Sequence, residues 1–316
     1  MMKVFITGGA GMVGSHLADL CLEEGMEVHL ILRHTTNKRN IEHCVEDLNL
    51  HLGDIKDYGC VKAIVDEVEP DLVFHLAAMS FVPQSFVASS ETLYNNIVGT
   101  DNVLKAIDDV TRCAIACSSE EYGMVYPTEV PIQETNPLRP RSPYGISKVA
   151  TDYLGAYYAG LGKKIVRLRC FNTEGPRRHE LFVTSTFAKQ IAEIEKGKRR
   201  LLLHGNLDVV RDFTDVRDIV RAYRLAVDKC EYGDVYNVCS GEGHSIEEVL
   251  DFLISEAYKS KGTTVMIKTD SARMRESEVP LLLGDCTKFK EATGWKPEIS
   301  FEQMLLDELE WWRERV

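Results

Sequence analysis

The chain has 316 residues, 44% hydrophobic and 27% charged, a balance typical of a globular protein with a large core and room for two lobes. Its formal net charge of -12 argues against broad nucleic-acid binding, because surfaces that bind phosphate backbones normally carry a basic excess. No apolar run has the length of a membrane span, and Met1–Val4 lead directly into a predicted strand without room for a signal peptide. We therefore expect no membrane association and a cytoplasmic location.

The nine cysteines are scattered, odd in number and without a Cys-x-x-Cys pair. Several lie inside apolar runs, where a free thiol behaves as a small hydrophobic side chain. The nine histidines lack the spacing of metal ligands. We therefore expect reduced cysteines, with neither a disulfide framework nor a metal site.

A glycine-rich turn follows the first predicted strand, Lys3–Thr7, and precedes a predicted helix over Ser15–Glu24. This order of strand, turn and helix lets the backbone approach a pyrophosphate and directs a helix N-terminus at its negative charge. A tight turn without a ligand is the alternative interpretation. We favour a dinucleotide site, and its predicted contacts in this turn are Gly8, Gly11, Met12 and Val13.

The second predicted strand, Glu27–Leu32, ends at a position that discriminates between dinucleotides. Proteins of this architecture that prefer NAD usually place an acidic residue there for the ribose 2′-hydroxyl, whereas a basic residue suits the 2′-phosphate of NADP. The chain has Arg33, in a basic and hydroxyl-rich loop that continues to Arg39. The loop favours NADP over NAD, with Arg33 and Asn37 as contacts, although a solvated charged loop would have the same composition.

Strands and helices alternate over the first half of the chain, which predicts an α/β fold with a doubly wound parallel sheet of the Rossmann type. The remaining predicted elements of this part are strands Leu48–Leu52, Leu72–Leu76, Ala114–Cys117 and Ile165–Cys170, and helices Tyr58–Val68, Asn96–Ile107 and Tyr144–Ala159. Ligands of such sheets lie at the carboxyl ends of the strands. Further predicted cofactor contacts at these ends are Asp54, Ile55, Leu76, Ala77 and Ala78.

The regular alternation stops after Asn172. Beyond it we predict helices over Ser185–Lys196, about Asp218–Ala226 and Ser245–Ala257, and a strand over Val235–Cys239. We interpret this part as a smaller α/β lobe for the substrate that is not continuous in sequence. The predicted boundaries are 1–172 with about 212–230 for the dinucleotide-binding domain, and 173–211 with 231–316 for the second lobe.

Tyr144 and Lys148 are four residues apart in a predicted helix, so they lie on one face and the ammonium can approach the phenol. A free tyrosine has a pKa of about 10, and a nearby positive charge favours its phenolate, which could then accept a proton near neutral pH. Many surface helices contain such a pair by chance. Here Ser118 and Glu120 follow a predicted strand whose carboxyl end faces the same ligand groove, which favours a catalytic role.

Taken together, the glycine turn, Ser-Ser-Glu at Ser118, Tyr-x-x-x-Lys at Tyr144 and the later arginine segments resemble the extended short-chain dehydrogenase/reductase superfamily of nucleotide-sugar epimerases and dehydratases. The resemblance spans nearly the whole chain, and two families within it compete. Segments similar to the GDP-mannose 4,6-dehydratases are 33–43, 176–178, 182–184 and 281–288. Segments more similar to the GDP-6-deoxy-4-keto-mannose reductases are 118–123, 211–218 and 236–241.

The resemblance to a 4,6-dehydratase implies oxidation of a GDP-sugar at C4, elimination of water across C5 and C6, and return of the hydride to C6. It implies that Tyr144 takes the C4 hydroxyl proton while Lys148 lowers its pKa and bonds the nicotinamide ribose. Ser118, where dehydratases commonly carry threonine, would bond the same hydroxyl. Glu120 would act as the base at C5 and as the acid for the departing water, although it could instead be a hydrogen-bonded structural carboxylate. A 4-epimerase usually lacks this carboxylate.

The same resemblance implies a set of substrate contacts, with arginines suited to the diphosphate because their planar fork binds phosphate oxygens in pairs. The implied contacts are Ser80, Ser85, Asn172, Val183, Lys189, Arg211, Arg275 and Glu278. Arg177 and Arg178 either form ion pairs or reach a cofactor phosphate, including that of a neighbouring subunit. A homodimer or homotetramer is also implied. A non-catalytic nucleotide sensor is the alternative from another class of protein, and Ser118, Tyr144 and Lys148 argue against it.

Overall fold

A computed structural model of the protein describes residues 1–274 and 279–316. The strands are β1 Lys3–Thr7, β2 Glu27–Leu32, β3 Asn49–Leu52, β4 Leu72–His75, β5 Arg112–Ser118, β6 Lys164–Cys170, β7 Asn172–Glu174, β8 Leu201–His204, β9 Val210–Asp215, β10 Val235–Val238, β11 Gly243–Ser245, β12 Met266–Thr269 and β13 Leu281–Leu282. The α-helices are α1 Met12–Glu23, α2 Tyr58–Val68, α3 Val82–Val87, α4 Ser89–Leu93, α5 Gly99–Ala106, α6 Pro143–Gly160, α7 Val183–Glu195, α8 Val216–Lys229, α9 Ile246–Lys261, α10 Thr287–Thr293 and α11 Phe301–Arg313.

The main sheet has seven strands in the order β10-β6-β5-β4-β1-β2-β3, and every pair in it is parallel. Except for the edge strand β3, its strands are mostly apolar and buried, because helices cover both faces with one hydrophobic core on each. Helices α1 and α8 pack on one face, and α2, α5 and α6 on the other. This arrangement confirms the predicted doubly wound α/β fold.

A third hydrophobic core lies among α7, α9 and α11, where apolar residues recur at helical spacing. Two small sheets border it, one containing β7, β9, β11 and β13, and the other containing β8 and β12. Most of this core lies in residues 173–211 and 231–316, which we predicted as the second lobe, but β9 continues to Asp215 and so extends into the segment 212–230 that we assigned to the dinucleotide-binding domain.

Strand β10 departs from the predicted division, which assigned residues 231–316 to the second lobe. It is the edge strand of the main sheet, where Tyr236 pairs with Leu168 and Val238 with Cys170. Helix α8 returns the chain to the main core, so the next strand can extend the parallel sheet beside β6. Part of the segment after β13 also belongs to this core, since Phe289 and Trp295 are buried in it.

The region before α5 contains more helix than the sequence predicts. Helices α3 and α4 and a π-helical turn over Tyr94–Val98 precede α5, whereas the sequence analysis begins the helix at Asn96. Likewise α1 begins at Met12 rather than Ser15, directly after Gly11. Both differences concern helix starts without a strong side-chain cap, which a sequence signals poorly. Within the described residues, we find no helix that combines the length and apolarity needed for a membrane crossing.

Candidate active site

A cavity of about 750 Å³ lies at the carboxyl ends of the main-sheet strands. Residues that follow β1, β2, β3, β4, β5 and β6 all contribute to its wall, and α7, β9 and the loop after β8 close its other side. Parallel strands end at the same edge of a sheet, so segments far apart in sequence meet here. The volume suits a large ligand that binds in a cleft.

The turn after β1 forms one end of this cavity, and its close packing requires glycine at two positions. Gly8 has a φ of 75°, and a Cβ at this position would lie 2.8 Å from the backbone nitrogen of Ala77. A Cβ at Gly14 would lie 2.2 Å from the carbonyl oxygen of Gly8. The turn therefore packs tightly between β4 and α1 and leaves the N-terminus of α1 open to the cavity, which fits a dinucleotide pyrophosphate.

Replacing Gly8 with alanine is expected to weaken dinucleotide binding by about 10- to 100-fold, because the new methyl group has to displace the backbone at Ala77. The matched control is Gly25→Ala, since Gly25 has a φ of 72° but open space around it. Titration of NADP into both variants by calorimetry measures the difference. Equal NADP affinities of the two variants would contradict the proposed role of the close contact between Gly8 and Ala77.

The wall near the end of β2 contains Arg33, which lies next to the position expected for an adenosine 2′-phosphate. Asp54 and Ile55 line the same region, and Asp54 also accepts a hydrogen bond from the Lys56 amide at 2.9 Å. Asn37 does not contribute to the cavity wall. It is exposed, and its Oδ1 accepts a hydrogen bond from the Arg39 amide at 2.9 Å, so the sequence prediction of a cofactor contact there is not supported by its position.

Tyr144 and Lys148 lie together in the cavity wall on the first turns of α6 and are almost completely buried. Their position depends on the helix start, where the Ser142 hydroxyl accepts from the Gly145 amide at 3.0 Å. The Lys148 ammonium donates to the Ala116 carbonyl at 2.6 Å and lies 5.9 Å from the centre of the Tyr144 ring. A hydrogen bond joins the Ser118 hydroxyl to the Tyr144 phenol.

The pKa values of this pair differ from the expectation that the lysine promotes the phenolate. Burial raises the pKa of Tyr144 above its ordinary value, the hydrogen bond from Ser118 opposes this, and the charges of Glu120 and Glu121 add to it. Burial also lowers the pKa of Lys148. Removal from water is the largest influence on both pKa values, and the positive charge of Arg178 acts in the opposite direction on Tyr144.

Glu120 and Glu121 are adjacent in sequence but point into different surroundings. Glu120 lines the cavity and is half-buried, and its backbone amide donates to the Ser118 hydroxyl at 3.2 Å. Glu121 is fully buried behind the wall, where it accepts a hydrogen bond from the Ser118 amide at 2.7 Å. The sequence analysis did not identify Glu121, although two consecutive acids after a strand were a signal for it.

A second positioning residue that the sequence analysis missed is Asn96, in the π-helical turn behind Tyr144. Its side chain accepts from the Met79 amide at 2.8 Å and donates to the Ser147 hydroxyl at 2.9 Å, which joins the loop after β4 to α6. The run of polar residues at the start of a predicted helix was the available signal. His75 lies nearby, hydrogen-bonded to two threonines, and burial lowers its pKa to about 3, as suits a packed neutral residue.

Four of the predicted substrate contacts line the cavity, namely Ser80, Asn172, Val183 and Arg211. Ser85 does not, because it is buried in α3 and donates to the Val82 carbonyl at 2.7 Å. Lys189 does not either, since it forms an ion pair with Glu180. Both side chains form a hydrogen bond or an ion pair with a residue close to them in sequence, and these contacts are not evident from the sequence pattern. The remaining two, Arg275 and Glu278, lie outside the described residues.

The two arginines after β7 have different positions. Arg178 lines the cavity, pairs with Glu174 at 3.0 Å and lies over the Phe182 ring at 3.5 Å. Arg177 has a φ of 70° and pairs with Asp19 at 2.7 Å on a separate surface pocket. Of the two, Arg178 is therefore placed to meet an anion in the cavity of its own chain.

Known proteins resemble this chain over most of its length. The family described as GDP-mannose 4,6 dehydratase matches residues 5–307. The human GDP-mannose 4,6 dehydratase is 34% identical, over 95% of this chain and 88% of that protein. The GDP-6-deoxy-D-mannose reductase of Pseudomonas aeruginosa is also 34% identical, over 99% of this chain and 98% of that protein.

Solved structures give the same result for the fold. The structure of RMD from Pseudomonas aeruginosa complexed with NADPH superposes with a TM-score of 0.83 at 30% identity and covers 100% of both chains. The predicted membership of the epimerase and dehydratase superfamily is thereby confirmed. The chain belongs to the GDP-mannose 4,6-dehydratase family.

Proposed function

We propose that this protein is a 4,6-dehydratase that converts GDP-mannose to GDP-4-keto-6-deoxymannose. The observation that carries the proposal is the meeting of Ser118, Glu120, Tyr144 and Lys148 in the wall of one cavity, beside a glycine turn that fits a dinucleotide. Proton transfer at C4 and at C5 needs two separate groups, and the phenol and the Glu120 carboxylate supply them. The names of the relatives support the same activity.

Each residue has a distinct role in this proposal. A bound NADP supplies the hydride acceptor and, later in the turnover, the hydride donor. Tyr144 takes the proton of the C4 hydroxyl, and Ser118 holds that hydroxyl through the hydrogen bond it shares with the phenol. Glu120 removes the C5 proton and returns a proton to the C6 hydroxyl, which leaves as water. Lys148 orients the ribose of the nicotinamide and supplies positive charge beside Tyr144.

NADP as the cofactor is supported by Arg33 in the cavity wall and by the turn at Gly8. For the substrate, Asn172 and Arg211 are proposed contacts of the nucleoside diphosphate, and Arg178 adds a cation on the same side of the cavity. Arg178 and Arg211 belong to the segment that we propose as the substrate lobe, and Asn172 is the last residue of the first dinucleotide-binding segment, directly before it. The roles of Arg275 and Glu278 stay sequence predictions.

The second candidate is the NADPH-dependent reduction of GDP-6-deoxy-4-keto-mannose. One observation favours it: the chain covers 98% of the Pseudomonas aeruginosa reductase but 88% of the human dehydratase. In this reaction Tyr144 would donate a proton to the C4 oxygen, and Glu120 would have no proton to remove from C5. A 4-epimerase is less favoured, because it does not need the Glu120 carboxylate.

One assay separates the two reactions. The purified protein is incubated with GDP-mannose and a catalytic trace of NADP, and the sugar is followed by nuclear magnetic resonance. A dehydratase accumulates the 4-keto-6-deoxy product without net change in NADP, because the hydride returns to the sugar. Absence of this product, combined with steady NADPH oxidation in the presence of the keto sugar, would replace the dehydratase by the reductase.

We also propose that the protein forms a homodimer or homotetramer through the exposed side of α6. This side exposes three large side chains at a spacing of four residues, namely Tyr153 (64% exposed), Tyr157 (60%) and Leu161 (59%). Residues at this spacing lie on one face of a helix, and the exposed Ile146 lies on the same face. Contiguous apolar groups of this kind usually mark an interaction surface. A second copy fits because its own α6 offers the same face in a two-fold arrangement.

Replacing Tyr153 and Tyr157 with glutamate is expected to convert the oligomer to a monomer, since the facing copies would bury like charges. Light scattering of the purified protein measures the mass. The matched control is Tyr258→Glu, because Tyr258 is also 64% exposed but lies on α9. A wild-type mass equal to that of the single chain, or a double variant that keeps the oligomer, would contradict the proposed surface.

A further inference from the structure

Glu121 is a buried acid that the proposed reaction does not use directly. It follows β5 and ends a short 3-10 turn, Ser119–Glu121, and its side chain is fully buried. One of its oxygens, Oε1, accepts a hydrogen bond from the Ser118 amide at 2.7 Å. The Ser118 hydroxyl in turn accepts from the Glu120 amide at 3.2 Å, which completes a capping box over the turn. Ser118 and Glu120, which the proposal places beside the sugar, therefore both belong to a turn closed by Glu121.

A second carboxyl group, on the catalytic helix, lies beside Glu121. An oxygen of Asp152 lies within 4.8 Å of one of Glu121, and Asp152 is one turn of α6 beyond Lys148. Arg169 donates from Nε to Asp152 Oδ2 at 2.7 Å, and Arg167 also pairs with Asp152. Asp152 is therefore the carboxylate that these two arginines neutralise.

Glu121 Oε2 lacks such a donor. It lies 3.3 Å from Arg169 Nε, but the single hydrogen of that nitrogen is directed at Asp152, and among the described residues Oε2 accepts no hydrogen bond. A buried carboxylate oxygen without a donor, next to another carboxylate, is costly unless it carries a proton. Burial and the charge of Asp152 both raise the pKa of Glu121 far above its ordinary value. As an acid, Glu121 can donate through Oε2 to Asp152 while Oε1 still accepts from Ser118.

We propose that Glu121 is a positioning residue whose carboxyl group bridges the Ser118 amide to Asp152 on α6 and so holds the Ser118 hydroxyl against the Tyr144 phenol. The inference rests on the proposed function, because it concerns the geometry of the residues that carry that reaction. The bridge joins the two elements that have to stay in register, the turn after β5 and the catalytic helix. The bridge requires a side chain as long as that of glutamate, with one end that accepts a hydrogen bond from the Ser118 amide and another that donates a hydrogen bond to Asp152.

Two substitutions separate this bridge from an ionised salt bridge to Arg169. Glu121→Gln keeps the length, an accepting oxygen for Ser118 and an amide donor for Asp152, so kcat should stay within about 3-fold of the wild type. Glu121→Asp keeps the acid but is one methylene too short to reach both partners, so kcat should fall about 10- to 100-fold with the KM for the nucleotide sugar unchanged. An ionised Glu121 would give the opposite order, with aspartate better than glutamine, and would overturn the proposal.

The limb of the kcat pH profile that reports the ionisation of Tyr144 provides a second readout. A purely structural role of Glu121 would not shift it. The hydrogen bond from Ser118 lowers the pKa of Tyr144, so its loss should shift the limb assigned to the phenol to higher pH in Glu121→Asp, and the same shift is expected in Ser118→Ala. If both substitutions break the same bond, the double variant should be no slower than Ser118→Ala alone within about 3-fold. Fully additive losses, or an unshifted limb, would contradict the bridge.

Glu195 provides the matched control, because it is a buried acid that pairs with Arg313 and Lys261 and lies away from the cavity. Glu195→Gln should lower the thermal midpoint more than Glu195→Asp, because it removes the charge that faces two cations, and neither should alter kcat or the pH limb.

An infrared difference spectrum of wild type minus Glu121→Gln tests the bridge without any turnover. At neutral pH it should contain the carbonyl band of an un-ionised carboxyl. A carboxylate band in its place would overturn the inference even if the enzyme is active. Conversely, a wild type that is inactive with both GDP-mannose and the keto sugar, but has the un-ionised band, would reject the proposed function and leave the buried acid in place.

Discussion

Replacing Tyr144 with phenylalanine is expected to lower turnover by at least about 1,000-fold, because in the proposed reaction the Tyr144 phenol, beside Ser118 in the cavity wall, is the group that takes the proton of the C4 hydroxyl. The phenyl ring fills nearly the same space, so NADP affinity should stay within about 2-fold. Product formation from GDP-mannose measures the first effect, and calorimetric titration of NADP measures the second. The combination would also reject the nucleotide-sensor alternative, since a sensor needs no proton acceptor at this position.

Tyr158→Phe is the control for this experiment, because Tyr158 lies on the same helix and donates its hydroxyl to Asp101 at 2.8 Å, away from the cavity. It should keep near wild-type turnover. If Tyr144→Phe kept more than about one tenth of the wild-type rate, the phenol could not be the group that moves the C4 proton. If NADP binding collapsed instead, the residue would have to be reassigned to cofactor binding.

Replacing Glu120 with glutamine is expected to reduce dehydration about 100- to 10,000-fold, because the amide can neither remove the C5 proton nor supply one to the leaving hydroxyl. The change keeps the shape of the side chain, so the substrate should still bind. Exchange of the C5 hydrogen with solvent deuterium, followed by nuclear magnetic resonance, should disappear in parallel. For a 4-keto reductase the same variant should keep most of its rate, since reduction at C4 needs no base at C5.

Glu129→Gln is a useful comparison, because Glu129 lies a few residues further along the same loop region and pairs with Arg139 outside the cavity. This ion pair is in contact with solvent, so its loss should have little effect on stability and leave the rate unchanged. Dehydration that survives in Glu120→Gln would assign the C5 proton to another group, and the proposed role of Glu120 would have to be abandoned.

The sequence alone predicts the parts of this protein that depend on local pattern. Runs of apolar residues between turns locate the seven strands of the main sheet within a few residues, although β10 was assigned to the second lobe, because a strand buried on both faces has little choice of composition. The turn at Gly8 is equally local in its φ of 75°, which favours glycine, whereas its close approach to Ala77 is a tertiary contact. The spacing of Tyr144 and Lys148 follows from the helix period, so their common face is also predictable.

Only the tertiary structure decides which side of a wall a residue occupies. Glu120 and Glu121 are adjacent and have the same side chain, yet Glu120 lines the cavity. Glu121 is buried near Asp152, which belongs to α6. Ser85 and Asn37 lie outside the cavity wall, where Ser85 bonds to Val82 within α3 and Asn37 accepts from the Arg39 amide within its loop. Strand β10 joins the main sheet because it pairs with β6, about 70 residues earlier. Periodicity describes a residue's own element, whereas burial, charge pairing and protonation depend on the elements that pack against it.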